Sequence, residues 1–105
     1  MIENKNKPHG TLVILSDEMQ EWYENGQRHR LDGPAVIYAD GTQEWWVGGQ
    51  RHRLDGPAVI YANGITHWYI HDVDMSDQIS AWMQELAVSW PWDSAVQTQF
   101  QLTWE

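Results

Sequence analysis

The chain has 105 residues, a formal net charge of −9, eight tryptophans and no cysteine. A disulfide or thiolate site is therefore excluded, and direct binding to nucleic acid is not expected, because such binding needs a basic surface. The length predicts a single domain over 1–105. The polar N-terminus and the absence of a long apolar run predict a cytoplasmic protein without membrane contact.

An internal repeat organises the sequence. The segment QRHRLDGPAVIYA begins at Gln27 and again, letter for letter, at Gln50, 23 residues later. A period of this size is typical of a small structural unit that is stacked. A flexible lead over 1–9 and three copies over 10–75 are predicted. In the third copy Val73-Asp74-Met75 replaces the Arg-His-Arg segment, and such atypical units commonly cap an array. The aligned columns are Gly10, Gly33 and Gly56; Trp22, Trp45 and Trp68; and Tyr23, Trp46 and Tyr69.

Each copy is predicted to contain a hairpin followed by a short third strand. The β-branched and aromatic segment 35–39 favours a strand. Asp40-Gly41 suits a type I′ turn, which needs positive φ at both central residues. A return strand over 43–47 and a second turn at Gly48-Gly49 precede a short strand over 50–53.

The turn at Asn63-Gly64 in the next copy is expected to match Asp40-Gly41. In the first copy Asp17-Glu18 is a poorer turn sequence, and we expect a looser hairpin there. The strand over 35–39 is apolar on both faces, so another element must cover its second face.

The segment 76–90 is the candidate for that cover. Ser76 is a suitable helix N-cap, and Pro91 ends a helix shortly after. Apolar residues recur at helical spacing between them. We therefore predict an amphipathic helix over 76–90 packed on the sheet. The apolar positions are Ile79, Trp82, Met83, Leu86 and Trp90.

The C-terminal cap over 91–105 admits two interpretations. Alternation of apolar and polar residues from Val96 to Trp104 favours a strand, whereas Asp93 could cap a short helix over 94–99. We predict a helical turn after Asp93 and a short terminal strand over roughly 99–104. The predicted fold class is α+β, mainly β, with an antiparallel hairpin repeat sheet.

The glycine and aromatic columns resemble MORN repeats and, more closely, the variant in YwqK-like proteins. The form Trp-(Tyr/Trp)-x-(Asn/Gly)-Gly-Gln-Arg-His-Arg-Leu-Asp-Gly-Pro-Ala is also similar to small phage and giant-virus proteins. The resemblance covers about 10–75. It implies a β-hairpin array that serves as an interaction scaffold and has no catalytic motif. Some YwqK-like members carry an antitoxin label.

The two Arg-His-Arg segments are the first candidate site. In an extended segment both arginines point to one side, so four guanidiniums could share a face and bind a phosphate, a nucleotide or an acidic partner. Alternatively, nearby carboxylates pair with the arginines and join one copy to the next, which is the favoured interpretation. The segments are Arg28, His29 and Arg30, and Arg51, His52 and Arg53; the carboxylates are Asp32, Asp55, Glu21 and Glu44.

The aromatic columns are the second candidate. The Trp22 and Tyr23 columns face opposite sides of a strand, so one can be core while the other, formed by Tyr23, Trp46 and Tyr69, forms a partner-binding stripe. Packing of both columns is the alternative.

No metal, cofactor or catalytic site is predicted. His67 and His71 would lie about 13 Å apart along a strand, too far for one ion. No nucleophile, phosphate-loop or paired-carboxylate motif is present, so an enzyme is not expected. The acidic excess could imitate nucleic acid if the acids share a face, but a solvated surface is the simpler reading. That face would hold Asp17, Glu18, Glu21, Glu24, Asp40 and Glu44.

Three hypotheses for function follow. The first is a protein-interaction module, encoded by a phage, that inhibits a host or defence protein in the host cytoplasm. The second is a sponge that binds an anionic nucleotide through the Arg-His-Arg segments. The third is a YwqK-like antitoxin that neutralises a cognate toxin. Open hairpin edges also allow a homodimer.

Overall fold

Short antiparallel strands and two C-terminal helices make up the described part of this computed structural model, residues 10–16 and 19–104. The predicted lead over 1–9 and the predicted turn at Asp17-Glu18 lie outside it. The α+β, mainly β class is confirmed. The elements are β1 (Thr11–Ser16), β2 (Met19–Glu24), β3 (Gln27–Arg28), β4 (Val36–Ile37), β5 (Gln43–Glu44), β6 (Trp46–Val47), β7 (Gln50–Arg51), β8 (Val59–Ile60), β9 (Thr66–His67), β10 (Tyr69–Ile70), β11 (Val73–Asp74), α1 (Ser76–Leu86) and α2 (Ser94–Trp104).

The main sheet has the strand order β1-β2-β4-β5-β8-β9, with every neighbouring pair antiparallel, and β3 pairs with β2 outside this path. Its register aligns a row of side chains across the strands: Glu21, Val36, Glu44, Val59 and His67. The first four are buried. Charged and apolar side chains therefore alternate in one buried row of the sheet.

A second row of hairpins lies beside the main sheet. The hairpins β6-β7 and β10-β11 form separate two-stranded sheets, and β2-β3 belongs to the main one. Backbone bonds join each hairpin to the next: Arg30 N–H donates to the Trp46 carbonyl at 3.0 Å, and Arg53 N–H donates to the Tyr69 carbonyl at 3.3 Å. The predicted return strand over 43–47 is consequently split at Trp45, where the chain passes from one row to the other.

The turns differ from the prediction. At Asp40-Gly41 only the glycine has positive φ, at 94°, so the predicted type I′ turn is wrong. Tyr38 N–H instead donates to the Thr42 carbonyl at 2.9 Å across a wider loop. Positive φ at both residues occurs in the second turn, where Gly48 and Gly49 have φ of 57° and 82°. The I′ geometry is thus found in the hairpin row and not in the turns of the main sheet.

The hydrophobic core lies where the two helices meet the third copy of the sequence repeat. Trp68, Ile70, Ile79 and Phe100 form its buried centre. Trp68 is stacked on Trp92, with ring centroids 5.2 Å apart. Both helices therefore pack on the third copy. The partly buried residues around this centre are Leu54, Met75, Trp82, Met83, Trp90, Trp92 and Trp104.

Helix α1 ends at Leu86, four residues before the predicted end at 90, because Ala87 adopts a left-handed conformation with φ of 56°. Its N-cap is Met75 rather than the predicted Ser76. The Ser76 hydroxyl oxygen instead accepts the backbone N–H of Trp68 at 2.9 Å. The Ser76 side chain therefore satisfies the backbone donor of Trp68 instead of capping α1.

The predicted terminal strand over 99–104 is wrong, because α2 continues through Trp104. Asp93 accepts the Val96 N–H at 2.9 Å, as predicted for a cap. Helical spacing puts Phe100 and Trp104 together, with ring centroids 4.9 Å apart, and leaves Leu102 75% exposed. Burial of aromatic residues four apart outweighs the alternating pattern.

Substitution Phe100→Ala should lower the free energy of unfolding by about 3–5 kcal/mol, because the side chain is fully buried among aromatic rings. Leu102→Ala on the same helix is the control and should change it by less than about 0.5 kcal/mol. Urea unfolding followed by tryptophan fluorescence measures both. Equal effects of the two substitutions would contradict the helical packing of the tail.

Candidate functional site: an arginine–aromatic ladder

Five of the candidate residues meet on the hairpin row in what we call the ladder: Tyr23, Arg28, Trp46, Arg51 and Tyr69. Arg28 lies over the ring of Trp46, with Cζ 5.1 Å from the centroid. Arg51 lies over Trp46 at 4.8 Å and over Tyr69 at 5.3 Å. The arginine of each hairpin thus contacts the aromatic ring of the next by a cation–π interaction.

The strand register explains this arrangement. Tyr23 is paired across β2-β3 with Arg28, and Trp46 is paired across β6-β7 with Arg51. Each of these two hairpins therefore places one aromatic and one cationic side chain side by side. All five ladder residues are half-buried, so their outer edges remain accessible.

Two buried carboxylates of the main sheet pair with the arginines of the ladder. Glu21 is 2% exposed, accepts a hydrogen bond from the Tyr23 hydroxyl, and has Oε1 3.5 Å from Arg28 Nε. In the next copy Glu44 accepts the Trp46 indole N–H at 2.9 Å. Its partner Arg51 has Nη2 4.0 Å from Glu44 Oε2. The same acid, aromatic and arginine positions are thus used twice.

The electrostatics keep Arg28 charged. Burial by itself lowers the pKa of Arg28, but the hydrogen bond with Tyr23 and the negative charge of Glu21 outweigh it, and the net shift is upward. Burial, followed by the charge of Glu44, raises the pKa of the neighbouring Tyr38. A charge taken out of water is costly unless it is paired. The arginines are therefore the counter-ions of the sheet carboxylates.

In the third copy the acidic and basic positions are exchanged. Tyr69 is paired across β10-β11 with Asp74, which therefore occupies the position of Arg51. His67 aligns with Val59 on the main sheet, as Glu44 does on its other side. His67 Nδ1 lies 3.6 Å from Asp74 Oδ2. The predicted alignment of Val73-Asp74-Met75 with the Arg-His-Arg segment is therefore wrong by one residue, because the 23-residue spacing places Asp74 in the column of Arg51.

Arg30 and Arg53 do not join the ladder. Arg30 Cζ lies 3.9 Å from the centroid of Trp22, and its Nε donates to Asp32 at 2.9 Å. Arg53 makes the same contacts one copy later, 3.8 Å from the centroid of Trp45. The four guanidiniums are thus divided between the two aromatic columns and do not share one face. Arg53 also donates to Asp55 at 2.7 Å and to the Pro57 carbonyl at 3.0 Å.

A cavity of about 580 Å³ lies between these two arginine loops. Its cations are Arg30 and Arg53, and its anions are their partners Asp32 and Asp55. Burial lowers the pKa of Arg53, and the Asp55 carboxylate opposes this shift. Because the charges compensate one another, the cavity presents no excess of positive charge to an anion.

The two motif histidines connect neighbouring hairpins. His29 Nδ1 accepts the Gly48 N–H, and His52 Nδ1 accepts the His71 N–H, each at 2.9 Å. The rings of His52 and His71 are stacked with centroids 4.3 Å apart. Burial and, to a smaller extent, the charge of His71 lower the pKa of His52. Accepting these N–H groups requires an unprotonated Nδ1.

The described residues do not form the acidic face that would imitate nucleic acid. No cluster of three metal-ligating side chains occurs in the described ranges 10–16 and 19–104. Of the acids proposed to share a face, Glu21 and Glu44 are buried under arginines. They cannot contribute to an exposed imitation of nucleic acid.

Comparisons with protein-family models, with curated proteins and with solved structures returned no match. The resemblance to MORN repeats therefore stays a prediction. In the ranges that the structure describes, neither helix has the length and apolar character needed to cross a membrane.

Substitution Glu44→Gln should lower the free energy of unfolding by about 1–3 kcal/mol, because it removes the buried counter-ion of Arg51 while keeping an acceptor for the Trp46 indole. Glu85→Gln on the exposed surface of α1 makes the same chemical change and should cost less than about 0.5 kcal/mol. Urea unfolding compares the two. A neutral Glu44→Gln would show that the ion pair is dispensable.

Stability should fall as the pH is lowered from 7.5 to 5.5. The pKa of His52 is lowered in the folded state, so its contribution is complete above the unfolded value of about 6.5 and is lost as the pH falls below it. The depressed pKa values of Asp40 and Asp74 act only near and below about 3.9. Thermal melts at several pH values should show a smaller decrease for His52→Asn, which keeps an acceptor for His71. An unchanged pH profile in this variant would contradict the assignment.

Proposed function

We propose that this chain is a protein-interaction module without catalytic activity, and that it inhibits a host or defence protein as a phage-encoded factor. The observation that carries the proposal is the ladder. Tyrosine, tryptophan and arginine are the residues most enriched at the energetic centres of protein interfaces. Here they are lined up on one row of hairpins at regular intervals.

The ladder side chains are ordered before any partner binds. Cation–π contacts fix Arg28 and Arg51 over Trp46, and the buried Glu21 and Glu44 fix them from below. Immobilising a flexible side chain at an interface costs about 0.5–1.5 kcal/mol. A surface whose long side chains are already immobilised avoids much of that cost.

The charges favour a basic partner. Each of the four arginines is paired with a carboxylate of the same chain. The other acidic side chains of the described part form no ion pair with an arginine, so the surface is anionic. Complementary charge accelerates association and selects the partner. These acids are Glu24, Asp40, Asp72, Asp74, Asp77, Glu85 and Asp93.

We further propose that residues 10–75 form a MORN-like, YwqK-type hairpin array. Contacts that recur at the 23-residue spacing support this. Trp22 and Trp45 each donate a backbone N–H to the alanine carbonyl of the following copy, at 2.8 and 2.7 Å. His29 and His52 accept N–H groups from equivalent turns. Such arrays present an extended surface to a partner.

The nucleotide-sponge alternative has less support, because its guanidiniums are already engaged by carboxylates and the cavity between them carries compensated charges. A YwqK-like antitoxin would use the same protein-binding surface and differ only in the identity of its partner, a toxin.

Affinity capture tests the proposal. The wild-type chain, immobilised and exposed to bacterial lysates, should retain one protein in stoichiometric amount. The double variant Arg28→Lys and Arg51→Lys keeps the charges that neutralise the buried glutamates but loses the planar stacking of guanidinium on the rings. Retention by this variant should fall about tenfold, a change of about 1.4 kcal/mol.

Gln78→Ala, on an exposed position of α1, is the matched control and should retain the partner fully. Thermal melts confirm that each variant is folded. Failure to capture any stoichiometric protein, or equal capture by the ladder variant, contradicts the proposal. A rise in the wild-type melting temperature with a nucleotide, lost in the ladder variant, would favour the sponge instead.

A further inference from the structure

The side of each copy that faces the following copy is recognisable from its contacts. In the second copy the Thr42 hydroxyl accepts the Ala62 N–H of the next turn at 3.1 Å. In the first copy the Gln27 side chain lies against Gly49 of the next hairpin, 3.1 Å from where a Cβ would stand. These two positions therefore hold inter-copy contacts made by polar residues.

In the third copy both positions are apolar and exposed. Ile65 stands 23 residues after Thr42 and is 55% exposed, and Val73 stands in the column of Gln27 and is 56% exposed. The last unit of an array usually presents a polar outer face to water. Here the outer face has lost its polar side chains where a following unit would lie.

The charge at this end is also reversed. In the inner copies Arg28 and Arg51 reach the aromatic ring of the next hairpin. The equivalent side chain in the last copy is Asp74, half exposed, with exposed Asp72 on the adjoining turn. A carboxylate in the position from which an arginine would contact a neighbour calls for a cation on that neighbour.

The main sheet does not offer a free edge for strand addition at the neighbouring tryptophan. In the inner copies the backbone N–H of Trp22 and Trp45 donates to the following copy. In the last copy the N–H of Trp68 donates to the Ser76 hydroxyl at the start of α1. A partner that binds at this end would therefore contact the side chains of the hairpin β10-β11.

We propose that the terminal surface, formed by Ile65, Tyr69, Asp72, Val73 and Asp74, docks a basic segment of a different protein in which arginine alternates with apolar side chains. The arginine would pair with the carboxylates and lie on the ring of Tyr69, as Arg51 does from within. The apolar side chains would cover Ile65 and Val73.

Charge complementarity selects this occupant over a second copy of the chain. A second copy carries the same net charge of −9, and its four arginines are already paired with its own carboxylates. Two such chains repel each other at moderate ionic strength. The inference rests on the proposed function, because it names the surface and the chemistry of the protein partner.

An NMR titration tests the inference with a defined probe. A short synthetic peptide of alternating valine and arginine should shift amide signals of residues 65–74 in a saturable way, and the same peptide with glutamate for arginine should not. Val73→Gln, which installs the residue of the inner copies, should weaken binding about tenfold. Asp74→Asn removes the charge, keeps an acceptor for Ser76, and should weaken it similarly.

Two control variants separate this surface from general effects. Leu102→Gln replaces an exposed apolar residue elsewhere and should leave the affinity unchanged. Asp77→Asn makes the same charge change on α1 and should weaken binding much less than Asp74→Asn. Equal weakening by Asp77→Asn and Asp74→Asn, or amide shifts outside residues 65–74, overturns the inference.

Sedimentation distinguishes the remaining occupant. A concentration-dependent dimer of the wild-type chain that Val73→Gln abolishes would assign the surface to a second copy and overturn the inference.

Capture from lysate distinguishes failure of this inference from failure of the proposed function. A partner retained by Val73→Gln but lost by the ladder variant leaves protein binding intact and removes this surface. Peptide binding here without any captured protein would contradict the proposed function alone.

Discussion

The neutralisation of buried carboxylates is the interaction on which the rest of the structure depends. Glu21 and Glu44 lie in the buried row of the main sheet between valines, where an unpaired charge would be costly. Their counter-ions, Arg28 and Arg51, come from the hairpin row. The pairing therefore ties the two rows together, and it holds the guanidiniums over the aromatic rings. The arrangement of the ladder is a consequence of this constraint.

The tryptophan column of the sequence repeat shows how equivalent positions are covered in different ways. Arg30 covers Trp22, and Arg53 covers Trp45. Trp68 has no such arginine and is covered by the indole of Trp92, with Phe100 beside it. Replacement of a guanidinium by aromatic rings makes the third copy the apolar end of the molecule. The two helices pack on this apolar end.

The third copy departs from the first two in its backbone hydrogen bonding and in the side chains that it exposes. Ser76 satisfies the backbone N–H of Trp68, which in an inner copy would bind the next unit. On the hairpin row the equivalent side is left open, with Val73 exposed and Asp74 in the place of an arginine. The Trp68 backbone donor is thus satisfied within the chain, whereas the hairpin β10-β11 presents apolar and acidic side chains. The functional proposals follow from that asymmetry.

The sequence by itself determined the period, the mainly β class, the location of the first helix and the pairing of Arg30 with its near neighbour Asp32, because these depend on local spacing and exact repetition. It could not determine the secondary structure of residues 94–104. The pattern around Phe100 suits a strand and a helix alike, and only burial against the third copy decides between them. Nor could it divide the arginines between two aromatic columns, since that depends on where the chain crosses from one row of strands to the other. Turn geometry and packing across distant residues decided both, and neither is encoded in a local pattern.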